Sequence, residues 1–318
     1  MKTRATVIGI SIIFLVGFIS LSWGAENVSL LTCSTAGVYY PLGAGMARIW
    51  NKYVPNINAT AEPSGCSVVN MKLMEQGQAN TALAQNDAVY FATKGLKFFE
   101  GKIVTKPRGV LMLYDEVWHI ATTKQSGIKT IMDLKGKRVS VSFPGSIGNM
   151  NAFFLLEAYG MTEKDIKPYQ LSLSDGIQQL KDGNIDALIE TGGAPPVAGF
   201  LDLAHTRDVV FIGIDKEHRE KLIQRSPYLS HAVIPSNTYK GIDQDLPTLA
   251  VTCMLVASSD LGSDLVYKLT KAIFEHLDIL GESHIKGKLV SLETSLRGMI
   301  LPLHPGAEKY YKEVGKIK

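Results

Sequence analysis

The sequence predicts an α/β protein of two lobes, each built from βαβ units around a mainly parallel sheet, with a ligand cleft between them. Three observations carry this. Short apolar runs alternate with stretches of helical spacing over most of the 318 residues. Loops of small residues follow strands at 33–37, 64–67, 143–149 and 191–196. The strand, small-residue loop, helix device opens twice, near residue 30 and near residue 140. Ligands of such proteins sit at the carboxyl ends of strands and between lobes.

Taken in order, Val28 to Thr32 is an apolar strand followed by the loop Cys33-Ser34-Thr35-Ala36-Gly37. Ser34 or Thr35 can cap the next helix, and Gly37 can adopt angles other residues avoid. The helix spans Tyr39 to Tyr53, with Leu42, Met46, Ile49, Trp50 and Tyr53 at helical spacing, and Pro55 ends it. Its N-terminus suits an anion. Asn58 to Ala61 is a strand, a helix over Val68 to Met74 follows, and Ala79 to Gln85 is a third strand ending in Asn86-Asp87. Gly109 to Thr123 reads as strand with a break at Asp115-Glu116, a passage between lobes. The second lobe opens with strand 138–142, the loop from Phe143 and a helix from about Met150 to Tyr159. A short helix (174–181), a strand (185–190), the loop 191–196 and a strand (209–214) complete it. From Tyr239 the chain returns to the first lobe with a buried strand, Thr248 to Ala257. Leu265 to Leu280 reads as one amphipathic helix and Leu301 to Gly315 as a closing helix. The lobes are therefore 25–118 with 235–318, and 119–234.

The first residues supply an address. Lys2 and Arg4 precede an apolar run from Val7 to Leu21, and Ser22-Trp23-Gly24 offers a cleavage site before Ala25. This is the pattern of a secretory signal peptide, residues 1–24, and predicts a periplasmic protein. Lys and Arg total 33 against 30 Asp and Glu, and only Lys2 and Arg4 lie in the leader. The near-neutral remainder argues against nucleic acid as a partner. Three cysteines in an exported chain permit one disulfide and leave one thiol over.

Catalytic patterns are missing, so no catalytic residue, metal or cofactor is expected. The seven histidines lie apart and none has HExxH spacing. Cys33 or Cys66 as nucleophile would need a base that the sequence does not identify. Gly43-Ala-Gly45 starts like a dinucleotide fingerprint, but Arg48 stands in the third glycine's place, inside a helix. Asp115 and Glu116 are adjacent on a strand and face opposite ways, which favours a hinge or surface role.

The run Thr32-Cys-Ser-Thr-Ala-Gly-Val-Tyr-Tyr-Pro-Leu-Gly43 resembles the TGSTGGxYYPxG opening of TAXI proteins, the substrate-binding components of one branch of TRAP transporters. The stretch from Asn58 to Asn70, Ala84-Gln-Asn-Asp87, Asp133 to Val139, Pro144-Gly-Ser146, Gly193-Ala-Pro195 and Leu303 to Tyr311 also fit. The resemblance implies a periplasmic-binding-protein fold of type II that closes on its ligand and hands it to a membrane symporter. Family ligands are glutamate, 2-oxoglutarate and related small carboxylates, so the implied partners are a small organic anion or amino acid and the TRAP membrane subunits, a fused permease. By position, Thr35, Ala36, Gly37 and Tyr39 would meet the ligand from the first lobe, with Ser64, Ser67 and Asp87 nearby. Pro144, Gly145, Ser146 and Asn149 would come from the second, completed by Ala194 and Pro195. Asp87 could accept from an amino group or cap a helix.

Departures sharpen this. Cys33, Ala36 and Cys66 stand where the family has glycine, and Ile147 replaces another, which makes the cleft tighter or more apolar and weakens the case for glutamate itself. Cys33 and Cys66 end neighbouring strands and can pair. Three alternatives stay open: an ABC-transporter receptor on the same fold, a sensory receptor, and a cysteine-dependent enzyme on a two-lobe scaffold.

Overall fold

The computed structural model describes residues 25–35, 37–143 and 146–318; the expected leader, 1–24, lies outside them. The chain begins β1 (Glu26–Leu31), α1 (Tyr39–Tyr53), β2 (Ile57–Glu62), α2 (Cys66–Glu75), β3 (Thr81–Gln85), α3 (Asn86–Lys94) and β4 (Pro107–Val117). It crosses at Trp118 into β5 (His119–Thr123), then β6 (Arg138–Ser140), α4 (Ile147–Ala158), β7 (Lys167–Tyr169), α5 (Leu173–Lys181), β8 (Ala187–Glu190), α6 (Ala198–Thr206) and β9 (Val209–Phe211). After α7 (Lys216–Arg225) come β10 (Ser230–Ile234), β11 (Leu246–Ser258), α8 (Ser263–Glu275), α9 (Leu277–Ser283) and α10 (Pro305–Glu313).

Two sheets result, in the orders β10-β11-β3-β1-β2, with β4 also on β11, and β7-β6-β8-β5-β9. This bears out the α/β fold with two sheet-centred lobes. The sheets are mixed, however, not mainly parallel. β1, β2 and β3 pair in parallel, as do β6, β7 and β8, because a helix returns each to the same end. β4 and β11 run antiparallel from Pro107 opposite Ser258 to Val117 opposite Ala250. β5 pairs antiparallel with both β8 and β9. β4 runs directly into β5 and so carries the chain from the first sheet to the second with no crossover helix between them.

Three element boundaries differ from the sequence expectation. The strand break falls at Trp118, not at Asp115-Glu116. There Trp118 leaves the β4 ladder, its N–H donating to Leu249 O at 2.8 Å and its carbonyl accepting from Thr248 Oγ1 at 2.9 Å. The expected single helix 265–280 is two, because His276 takes non-helical angles between α8 and α9. Residues 230–234, counted above with the second lobe, form β10, which pairs with β11 of the first sheet.

The core follows the apolar spacing. On one face of the first sheet Val28, Leu30, Leu42, Ile49, Trp50 and Tyr311 are buried together, tied by Trp50 Nε1 to Leu269 O at 3.1 Å. Gly43 lets α1 lie against β1: a Cβ there would come within 2.5 Å of Thr32 Cγ2. On the other face, Met71, Val89, Met254 and Val256 belong to one apolar cluster with Ile120 and Val139 of the second sheet and Leu155 of α4. The two lobes thus share a continuous core beneath the ends of their strands.

Candidate functional site

The loop after β1 is held by covalent and polar ties. Cys33 and Cys66 form a disulfide, with Cα atoms 4.3 Å apart. Cys66 sits at φ +64°, in the left-handed region where glycine is the easy residue. Ser64 Oγ lies 3.0 Å from Thr32 O and accepts the Cys66 N–H at 3.2 Å, while Asn70 Nδ2 donates to Thr32 O and Leu83 O. Ser67 Oγ accepts the Gln85 N–H at 3.0 Å. Ser64 and Ser67 are therefore committed to shaping the loop.

Thr35 is exposed beside this loop, and Ala36 lies outside the described residues. Contrary to expectation, the N-cap position of α1 is held by neither Ser34 nor Thr35. The N-cap is Val38, which has no side-chain acceptor to offer. Gly37 likewise does not use a left-handed conformation; its N–H donates to Ser34 O at 2.9 Å. The first turn of α1 thus keeps N–H groups without a capping side chain, a setting that favours an anion.

In the second lobe, Pro144 and Gly145 lie outside the described residues. Ser146 is the N-cap of α4: its hydroxyl donates to Phe143 O at 2.7 Å and accepts the Asn149 N–H at 3.1 Å. Asn149 Nδ2 donates to Val141 O at 2.9 Å. In the loop after β8, Ala194 is buried, and Pro195 O accepts from Lys286 Nζ at 2.9 Å, a bond from the C-terminal part of the chain.

What the fold brings together is a set of acids, Glu116 and Asp87 buried and Glu190 half-buried. Glu116, near the end of β4, points inward and is 6% exposed, while its neighbour Asp115 faces the other way and pairs with Arg297 at 2.6 Å. The surface role suits Asp115 alone. Tyr39 Oη donates to Glu116 Oε1 at 2.9 Å, and Gln85 Nε2 donates to its other oxygen. Glu190, at the end of β8, joins them. Its Oε1 stands 3.3 Å from the point where a Cβ on Gly192 would lie, with Glu116 Oε2 3.5 Å and Gln85 Nε2 3.7 Å from the same point. Asp87 is fully buried and accepts from Asn151 Nδ2 of α4 at 2.7 Å, a hydrogen bond between lobes.

Burial dominates the electrostatics. It pushes Glu116 up to about 7 against the hydrogen bonds from Gln85 and Tyr39, and Glu190 up to about 7 with the Glu116 charge adding to it. Burial raises Asp87 to about 6, opposed by Asn151. His119, buried beneath, is held down to about 4 by burial and by the Lys286 charge, with Nδ1 2.8 Å from Val117 O. No group of three or more His, Cys, Asp or Glu among the described residues is arranged to hold a metal ion. Cys253 is fully buried and its thiol is raised by burial, so it lacks the thiolate character of a nucleophile.

Of the residues chosen from sequence, Tyr39 and Asp87 belong to this acid-lined region. Gln85, Glu116, Glu190 and Gly192 were missed. Gln85 is part of the Ala84 to Asp87 motif, and Glu190 ends an apolar strand before a small-residue loop, which was the available signal. Two concavities lie elsewhere. One of about 400 Å³ is lined by Asn27, Ser29, Gly77 and Asp260, and one of about 660 Å³ by Tyr90, Arg108 and Met299.

A profile of the NMT1-like family matches residues 30–315. Among solved structures the chain is similar to a TctC solute binding protein from Polaromonas, at 13% identity, with TM-score 0.57 and coverage of 93% of this chain and 100% of that one. It is also similar to PhnD1 from Prochlorococcus marinus in complex with methylphosphonate, at 11% identity, with TM-score 0.52 and coverage of 92% and 99%. These likenesses establish the two-lobed periplasmic-binding-protein fold.

Proposed function

The chain belongs to the NMT1-like family, and from that membership and its two-lobed fold we propose that it is an extracytoplasmic solute-binding protein. It captures a small carboxylate-bearing solute, an amino acid or a related organic anion, between its lobes and delivers it to the membrane subunits of a TRAP symporter. The observation that carries the reading is the α1 N-terminus. It opens behind a loop of small residues at the carboxyl end of β1, carries no side-chain cap and faces a second lobe built on the same device. A carboxylate there would meet unpaired N–H groups and the positive end of the helix. Thr35, Ala36 and Gly37 would line this wall. Pro144, Gly145, Ser146 and Asn149 would line the opposite one, with Ala194 and Pro195 at its edge.

Reversible binding fits these residues better than turnover. The two cysteines nearest the loop are joined to each other, and the third is buried. A disulfide suits an oxidising compartment, in keeping with the basic and apolar leader, and no described helix is long and apolar enough to cross a membrane. The test is a thermal-shift screen of the chain lacking residues 1–24 against small carboxylates, amino acids and neutral solutes. A ligand that binds only the folded state raises Tm by mass action. Stabilisation by carboxylate-bearing compounds supports the proposal; stabilisation by neutral sugars alone, or catalytic consumption of the bound compound, refutes it.

A further inference from the structure

Resting on that reading, we propose that Glu116 and Glu190 form a subsite for a protonated amine, so that the solute is a neutral or basic amino acid rather than a 2-oxo acid or a dicarboxylate. The two carboxylates converge on Gly192 from different lobes, Glu190 Oε1 and Glu116 Oε2 lying 3.3 and 3.5 Å from the position of its missing Cβ. Only hydrogen stands at that point on Gly192, which leaves the oxygens unscreened by a side chain. The groups that serve the pair are neutral: Tyr39, Gln85 and the Gly193 backbone for Glu116, and the Thr191 and Gly192 backbone for Glu190. No ion pair among the described residues involves Glu116, Glu190 or Asp87, whereas Asp115, one residue from Glu116, is paired with Arg297.

A second observation, independent of the acid count, points the same way. Asn151 is fully buried with its amide nitrogen spent on Asp87, and its own oxygen has no donor. Thr191, 2% exposed and placed between Glu190 and Gly192, also leaves its hydroxyl oxygen without a partner, 3.7 Å from the Cβ position of Gly148 on α4. Asn151 Oδ1 is thus a buried acceptor without a donor, and the Thr191 hydroxyl a buried group that neither donates nor accepts. Buried acceptors without donors are costly, and an ammonium group brings three donors with a compensating charge. A 2-oxo acid brings only further acceptors and negative charge to the same place.

The experiment measures affinity by calorimetry and thermal shift for matched compounds that differ in the amine: L-leucine with 4-methyl-2-oxopentanoate, L-glutamate with 2-oxoglutarate, and L-ornithine besides. The expected result is at least tenfold tighter binding of each amino acid than of its oxo counterpart, with L-leucine or L-ornithine above L-glutamate. Glu190→Gln should weaken the amino acids at least tenfold and leave the oxo acids unchanged. Its ligand-free Tm should equal or exceed that of the unaltered chain, because repulsion with Glu116 is relieved. Oxo acids binding as tightly as amino acids, or amino-acid affinity unchanged in a folded Glu190→Gln, would overturn the amine subsite while keeping the solute-binding reading. Failure of every compound in both series would count against both.

Discussion

Glu116→Gln tests the electrostatics of the site directly. In the unfolded chain a glutamate ionises near 4.5, whereas burial holds Glu116 at about 7 in the folded protein. The folded state therefore binds more protons between those values, and stability falls as pH rises through the window. At 1.36 kcal/mol for each pH unit of separation, the full penalty is about 3 kcal/mol, of which about 2.5 kcal/mol develops between pH 5 and pH 8. Glutamine removes this titration but keeps an amide oxygen for the Tyr39 hydroxyl. Any cost of the substitution that does not depend on pH cancels when the two proteins are compared at both pH values. That comparison also removes His119, whose depressed value of about 4 makes stability fall as pH drops below 6.5. Urea denaturation at pH 5 and pH 8 should show the variant gaining on the unaltered chain by about 2–3 kcal/mol at the higher pH. A difference that is the same at both pH values would mean that Glu116 ionises normally, and the description of a desolvated acid pair would be wrong.

Three further outcomes follow from the packing. Replacing Cys33 and Cys66 together by serine opens a cross-link between residues 33 positions apart; chain entropy sets the loss at about 3–4 kcal/mol, read by denaturation with and without reductant, and a loss under 1 kcal/mol would refute it. Cys253 is fully buried, so a thiol reagent should leave the native protein unlabelled and modify one cysteine once it is unfolded without reductant. Gly43→Val would drive side-chain atoms into Thr32 and Leu30; overpacking of this kind costs about 1–3 kcal/mol, and an unchanged urea midpoint would show that α1 is free to move away from β1.

Much of the fold was legible because it is local. The spacing of Leu42, Met46, Ile49 and Trp50 gives α1 its buried face, and the boundaries Tyr39 and Tyr53 follow from it and from Pro55. Thr81–Gln85 is buried along its length apart from its last residue, as a run of small and apolar residues demands. The break at Trp118 was not legible, because it depends on hydrogen bonds to Leu249 and Thr248, about 130 residues away. Nor was the division at His276, which lies inside an apolar repeat that continues on both sides.

The site divides in the same manner. The sequence by itself determined that loops of small residues close the strands of two α/β units, since loop composition and apolar spacing act over a few residues. It also marked Tyr39 and Asp87. Only the tertiary structure decided that Ser64, Ser67 and Asn149 would be taken up by backbone contacts, that the sheets would be mixed, and that Glu116 would be buried while Asp115 stayed at the surface. A carboxylate's solvation and neighbours are properties of the space around it. For Glu116 that space is filled by Tyr39 from α1, Gln85 from β3 and Glu190 from the other lobe, which meet only when β4, held along β11, passes into β5 of the second sheet.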